Sequence, residues 1–126
     1  MNRKVIKSEK APKALGPYSV AVRTESFVFA SGQLGLDPQS GDLVPGGIET
    51  ETRQSLTNIK NVLSDSGSGI EAVVKTTVFL KDMADFPKMN AVYAEFFPEN
   101  PPARSTVQAL LPKGGSVEIE AIALVK

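Results

Sequence analysis

Hydrophobic residues recur with two different periods along this chain, and the periods divide it into strands and helices. Tyr18, Val20 and Val22 alternate with Ser19, Ala21 and Arg23, which predicts a half-buried strand over Tyr18–Thr24. Lys4-Val5-Ile6 predicts a short strand ahead of it, and the intervening Ser8–Pro17, with Pro12, Gly16 and Pro17, reads as a loop. Glu25-Ser26 has the length of a hairpin turn, and Phe27–Ser31 reads as a strand apolar on both faces. Gly32-Gln33-Leu34-Gly35 interrupts it, and glycines there predict a bulge or a close backbone approach. Asp37–Gly47, rich in Gly, Pro and Asp, reads as an exposed loop.

From Ile48 the period becomes helical. Ile48, Thr52, Leu56, Ile59, Val62 and Leu63 form one stripe and predict a helix over Ile48–Ser64. Glu49 and Glu51 sit in its first turn, where the helix dipole favours them, and Gly67 supplies a stop. After a short turn at Ile70–Val73, alternation returns over Val74–Leu80, with Val74, Thr76, Val78 and Leu80 on one face. Asp82 or Asp85 caps a second helix, Pro87 lies in its first turn, and Phe86, Met89, Val92, Tyr93 and Phe96 make its core stripe. Pro98 ends it. Asn100-Pro101-Pro102 is a rigid connector into a strand over Arg104–Leu110, with Arg104, Thr106 and Gln108 on one face. A turn at Pro112–Gly115 leads to the last strand, Val117–Leu124.

The resulting order, β-β-β-α-β-α-β-β, describes a single layered domain over residues 1–126, with two helices covering one face of a sheet of about six strands. The strands Phe27–Ala30 and Val117–Leu124 are apolar on both faces, so the second face needs a cover as well. A homo-oligomer supplies one, and charged groups on that face would then lie between subunits.

Composition removes several function classes. Fourteen basic and fourteen acidic residues balance, which argues against a nucleic-acid partner. No stretch approaches the ~20 apolar residues of a membrane span. The stretch Met1–Lys7 has no long apolar run, so a cytoplasmic location without a signal peptide is the expectation. The chain has no cysteine and no histidine. Thiolate chemistry, Ser-His-Asp and Cys-His catalysis and the commonest metal ligand are therefore absent. Any reaction must use Arg, Glu, Asp, Lys, Tyr, Ser, Thr, backbone groups and water.

The candidate chemistry gathers at the C-terminal end. Glu118 and Glu120 alternate along the last strand, on the face that continues into Ile122 and Leu124. Carboxylates in apolar surroundings need a partner or a purpose. The nearest cation in sequence is Arg104, expected on an adjacent strand. Two readings stay open: Arg104 pairs structurally with Glu118 or Glu120, or its fork takes a carboxylate ligand. Asn90 stands on the apolar stripe of the second helix, where a buried amide should be hydrogen-bonded, for example to a neighbouring strand. Tyr18 follows a Gly-Pro turn. Ser31 and Gly32 fall where their strand breaks, as a bulge or as N–H donors to a bound carboxylate. Thr106 either offers a polar group to a ligand or is an ordinary β-branched strand residue.

Gly16-Pro17-Tyr18-Ser19, Ala30-Ser31-Gly32-Gln33, Val74-Lys75-Thr76-Thr77-Val78-Phe79, Asn90-Ala91-Val92-Tyr93, Pro102-Ala103-Arg104-Ser105 and Val117-Glu118-Ile119-Glu120-Ala121 together resemble the RidA (YjgF) family over nearly the whole chain. The resemblance implies a chorismate-mutase-like α+β fold and a homotrimer with a central barrel and clefts between subunits. It implies hydrolytic deamination of 2-imino and 2-enamine acids such as 2-aminoacrylate and 2-aminocrotonate, as metabolite damage control, without metal or cofactor. Arg104 would hold the substrate carboxylate and Glu118 would place water and relay a proton. Tyr18, Ser31, Gly32, Asn90 and Thr106 would line the cleft, and Glu120 would be a structural partner. A non-catalytic carboxylate-binding trimer is the alternative, and an RNA-acting relative a further one. The chain departs from the pattern in two places. The strand between Arg104 and Leu111-Pro112 is one residue shorter, and Thr106 stands where some members carry Cys.

Overall fold

The computed structural model describes residues 2–126. Six strands form one sheet: β1 (Lys4–Ile6), β2 (Ala21–Arg23), β3 (Phe27–Leu34), β4 (Val73–Leu80), β5 (Ala103–Gln108) and β6 (Val117–Leu124), in the order β1-β2-β3-β6-β4-β5. All neighbours are antiparallel except β4 and β5. That parallel step needs a crossover, and the helix α2 (Phe86–Phe96) supplies it. Helix α1 (Ile48–Asp65) connects β3 to β4 and packs against β3 and β6. The α+β class, the element order and the placement of both helices on one face match the expectation.

The core lies between that face and the helices. Val28 and Ala30 of β3, Val117, Ile119, Ala121 and Ala123 of β6, and Val78 and Leu80 of β4 meet Leu56, Ile59, Val62 and Leu63 of α1 and Met89 and Tyr93 of α2. Helix α1 ends in a Schellman motif. Gly67, at φ 77°, donates to the Ser64 carbonyl, and Ser68 donates to the Leu63 carbonyl.

Several boundaries differ from the periodicity reading. The strand expected over Tyr18–Thr24 is confined to Ala21–Arg23, because Tyr18 belongs to a turn closed by its N–H on the Gly16 carbonyl. Strand β3 does not stop at Ser31. A register shift between Ala30 and Gln33 inserts one residue, and pairing with β6 resumes at Gln33 and Leu34. A second shift, between Val73 and Lys75, turns Val74 out to solvent, away from the face of Thr76, Val78 and Leu80. Asp82 caps the short 3-10 turn before α2 by accepting from Ala84 N–H, whereas Asp85 at the helix start makes no side-chain cap. Strand β5 ends at Gln108 rather than Leu110, although the Ala109 N–H still donates to the Leu80 carbonyl.

The close approach foreseen around Gly35 is a backbone contact with α1. A Cβ on Gly35 would lie 2.6 Å from the Glu51 carbonyl oxygen and 2.7 Å from its Cα. Helix backbone cannot yield as a side-chain tip can. Gly35→Ala is therefore expected to cost about 1–3 kcal/mol, as overpacked cores do, and thermal unfolding will read it as a Tm several degrees lower.

Candidate active site

The sequence-derived site residues fall into two groups on opposite faces of the sheet. In register, Thr76 of β4 lies beside Arg104 of β5, and Phe79 of β4 lies beside Glu118 of β6. Thr76 and Phe79 are an odd number of residues apart and face opposite ways. Thr76 is buried under α2, with its hydroxyl 2.7 Å from the Tyr93 hydroxyl. Arg104 therefore lies on the helix side and Glu118 on the open side. The expected adjacency of their strands does not hold either, since β4 runs between β5 and β6.

On the helix side, Arg104 stacks over two rings of α2, with its guanidinium carbon 4.7 Å from the Tyr93 centroid and 5.4 Å from that of Phe86. Among the described residues its charge has no carboxylate partner, the two ion pairs being Arg53–Glu95 and Lys126–Glu71. The structural pairing of Arg104 with Glu118 or Glu120 is therefore absent within the chain. Arg104, Asn90, Tyr93, Ala94, Phe97 and Pro102 border a depression of about 340 Å³. Asn90 Oδ1 and Thr106 Oγ1 are both buried with no hydrogen-bond partner among the described residues. The tie from Asn90 to a neighbouring strand is thus not made. Burial holds the Tyr93 hydroxyl pKa above its ordinary value, although the bond to Thr76 and the charge of Arg104 pull it down. It stays a neutral phenol.

On the open side, Tyr18, Ser31, Gly32 and Glu118 meet in a cleft of about 610 Å³ that Glu120, Lys13, Leu15 and Pro112 also line. Gly32 is the floor under the Glu118 side chain. A Cβ there would lie 2.9 Å from its carboxyl carbon and from Oε2. Burial raises the Glu118 pKa above the ordinary carboxylate range, and the nearby Glu120 charge adds to the rise. Glu120 itself is exposed and has no ion-pair partner among the described residues, so within the chain it acts as a like charge in the cleft. Ser31 is committed to the fold, its N–H to the Val20 carbonyl at 3.0 Å and its hydroxyl to the Ser19 carbonyl at 2.7 Å. It has no free N–H for a ligand carboxylate. The Tyr18 hydroxyl accepts the Leu15 N–H at 3.0 Å, which folds the ring back over the loop.

Sequence reasoning missed Lys13, one undistinguished lysine in a loop, and the platform role of Phe86 and Tyr93, which read only as core. The open face carries an apolar ladder across four strands, Val5–Val22–Phe29–Ile122, beside Phe27 paired with Leu124. Phe29 is 45% exposed.

A family model described as Endoribonuclease L-PSP matches residues 8–125. The 2-iminobutanoate/2-iminopropanoate deaminase of Bos taurus is 53% identical over 123 residues, covering 97% of this chain and 90% of that protein. Among solved structures, E. coli TdcF with bound serine superposes with a TM-score of 0.93 at 40% identity, covering 98% of this chain and 99% of the other. The yeast protein YEO7 gives a TM-score of 0.96, also at 40% identity, over 98% and 99% of the two chains.

Proposed function

The chain belongs to the Endoribonuclease L-PSP family, the RidA family that its motifs resemble, and from that premise we propose that it hydrolyses 2-imino and 2-enamine acids to 2-keto acids and ammonia. Deaminase relatives at about half identity over nearly the full length support the reaction class. The observation that carries the site is the stacked, unpaired Arg104 beside two buried oxygens that lack partners. A fixed fork of donors with no internal carboxylate suits the carboxylate of a small acid.

Arg104 and Glu118 of one chain face opposite ways and cannot meet on one small molecule. We therefore read the working unit as a homotrimer in which the open face of one subunit meets the α2–β5 side of the next. This covers the apolar ladder and joins the two half-sites into one cleft. Arg104 takes the substrate carboxylate, with Asn90 and Thr106 supplying polar groups beside it. Glu118 of the neighbouring subunit holds water against C2 of the imine. As water adds, the ionised Glu118 accepts its proton. It returns that proton to nitrogen, which gives a carbinolamine. Glu118 then takes the carbinolamine hydroxyl proton and passes it to nitrogen, C–N breaks as C=O forms, and ammonia leaves. The imine is electrophilic before it binds, so positioning and one proton-relaying group suffice. Substrates of the size of 2-iminopropanoate and 2-iminobutanoate fit this reading. No helix of the described chain is long and apolar enough to cross a membrane. A cytoplasmic role in clearing reactive metabolites follows the same reading. A nucleic-acid substrate suits the chain poorly, because its fourteen basic and fourteen acidic residues leave no basic excess to hold a phosphate backbone.

Generating the imine with a dehydratase and trapping it with semicarbazide tests the proposal. The protein is expected to speed keto-acid release, and no acceleration overturns it. The rate should fall on acidification with a limb above the ordinary carboxylate range. Glu118 must be ionised to accept a proton, and its raised pKa brings protonation at a higher pH. Glu118→Gln should bind a keto acid but not turn over substrate, and wild-type binding without turnover would support a carboxylate-binding module instead.

A further inference from the structure

We infer that a buried polar row on α1, formed by Glu51, Ser55 and Asn58, positions the contact between Gly32 and Glu118 and so serves the reaction. The inference rests on the imine-hydrolysis reading. The three residues are spaced by four and three, which puts them on one side of the helix. Ser55 and Asn58 are fully buried and Glu51 nearly so. Polar groups at that depth cost free energy unless hydrogen-bonded.

Each of them reaches the backbone of a segment that bears on the contact. Ser55 Oγ donates to the Gln33 carbonyl at 2.6 Å. Asn58 Nδ2 donates to the carbonyls of Leu34 and Leu36, at 3.2 and 3.0 Å, while its Oδ1 accepts from Gln54. Glu51 Oε1 accepts the Ser116 N–H at 2.9 Å. Gln33 directly follows Gly32, Leu34 pairs with Glu118, and Ser116 stands two residues before it. The bulge between Ala30 and Gln33 interrupts the β3–β6 ladder, and an interrupted ladder leaves backbone groups unpaired. Ser31 anchors the near side through Ser19 and Val20. The polar row anchors the far side. Between the two anchors, the Glu118 carboxyl fills the space that a Gly32 side chain would take. A seat this close is sensitive to a shift of a fraction of an ångström.

Ser55→Ala and Glu51→Met each remove one anchor, and Glu51→Gln removes the same charge as Glu51→Met while keeping an acceptor for Ser116. Two quantities are to be measured in the full-length protein: steady-state imine hydrolysis, and the Glu118 titration followed by carbon NMR of its carboxyl group. The other titratable groups in the cleft, Glu120, Lys13 and Tyr18, are the same in all variants. A displacement of about 1 Å can cost about a hundredfold in rate, so the expectation for Ser55→Ala and Glu51→Met is a kcat about tenfold lower with KM within about twofold. Their Glu118 titration should move down toward the ordinary range as the carboxylate leaves its seat. Glu51→Gln should retain both wild-type kcat and titration. Lower thermal stability with unchanged kcat and unchanged Glu118 titration in Ser55→Ala and Glu51→Met overturns the inference. If the wild type hydrolyses no imine, the functional reading fails on its own. The titration then still decides the positioning role: a shift in Ser55→Ala supports it and an unmoved titration overturns it.

Discussion

Arg104→Ala is expected to lower kcat/KM for 2-iminobutanoate by about a hundredfold or more while leaving the fold and assembly intact. Two charge-assisted hydrogen bonds to the substrate carboxylate, at about 1.5–3 kcal/mol each, set a floor near 3 kcal/mol, which corresponds to a rate factor of roughly 150. The structural cost is smaller. Arg104 has no ion pair to break, and its stacking on Tyr93 and Phe86 contributes about 0.5–1 kcal/mol at a partly exposed site. Arg104→Lys should recover only part of the loss, because lysine restores the charge but not the planar fork or the stacking. The measurements are the semicarbazide-trapped rate and the mass of the assembly by light scattering. A variant that keeps the wild-type kcat/KM would remove Arg104 from the site. A variant that becomes monomeric would make it an assembly residue.

The order of elements was legible in the chain because the two periods, 2 and 3.6, change at clear boundaries. Glu118, Asn90 and Gly32 stand out for a related reason, each being a polar or small residue in an apolar pattern, and Arg104 stands out as the cation nearest in sequence to the carboxylates. What the pattern could not convey is the side of the sheet on which each one lies. Facing within a strand follows from alternation. Facing between strands depends on which strands are neighbours, and β4 separates β5 from β6 through a parallel crossover that no local signal encodes. The polar row on α1 was obscured by the helix dipole, which gives Glu51 a sufficient reason to stand in a first turn whether or not it is buried. Alternation that continues past the turn draws Tyr18 into a strand. Glu120 calls for a partner in the sequence because a carboxylate on a face that reads as apolar needs one. On this face it needs none within the chain, since the side chain is exposed. The unpartnered atoms form a pattern of their own. Arg104 without a carboxylate, and Asn90 and Thr106 with unmet oxygens, lie on one side, and a crowded pair of carboxylates lies on the other. In the proposed trimer each side supplies what the other lacks.

That complementarity leads to the prediction with the largest contrast. Arg104→Ala and Glu118→Gln, each inactive alone, should restore activity when their subunits are mixed. In the proposed trimer every cleft takes Arg104 from one subunit and Glu118 from its neighbour. With equal amounts of the two variants and random exchange, a cleft is intact when a Glu118→Gln subunit supplies the arginine and an Arg104→Ala subunit supplies the glutamate. Cyclic geometry makes that about a quarter of all clefts, so the mixture should show about a quarter of the wild-type rate. Co-refolding from denaturant produces the exchange, and mixing the folded variants without exchange is the control. Two alternative geometries give different results. If both residues served a substrate within one subunit, every subunit would carry one defect and the mixture would stay inactive. If only one of the two were needed, one parent variant would already be active. Recovery that follows subunit exchange would locate the reaction between chains, where the opposite facing of Thr76 and Phe79 along β4 requires it to be if both residues are used.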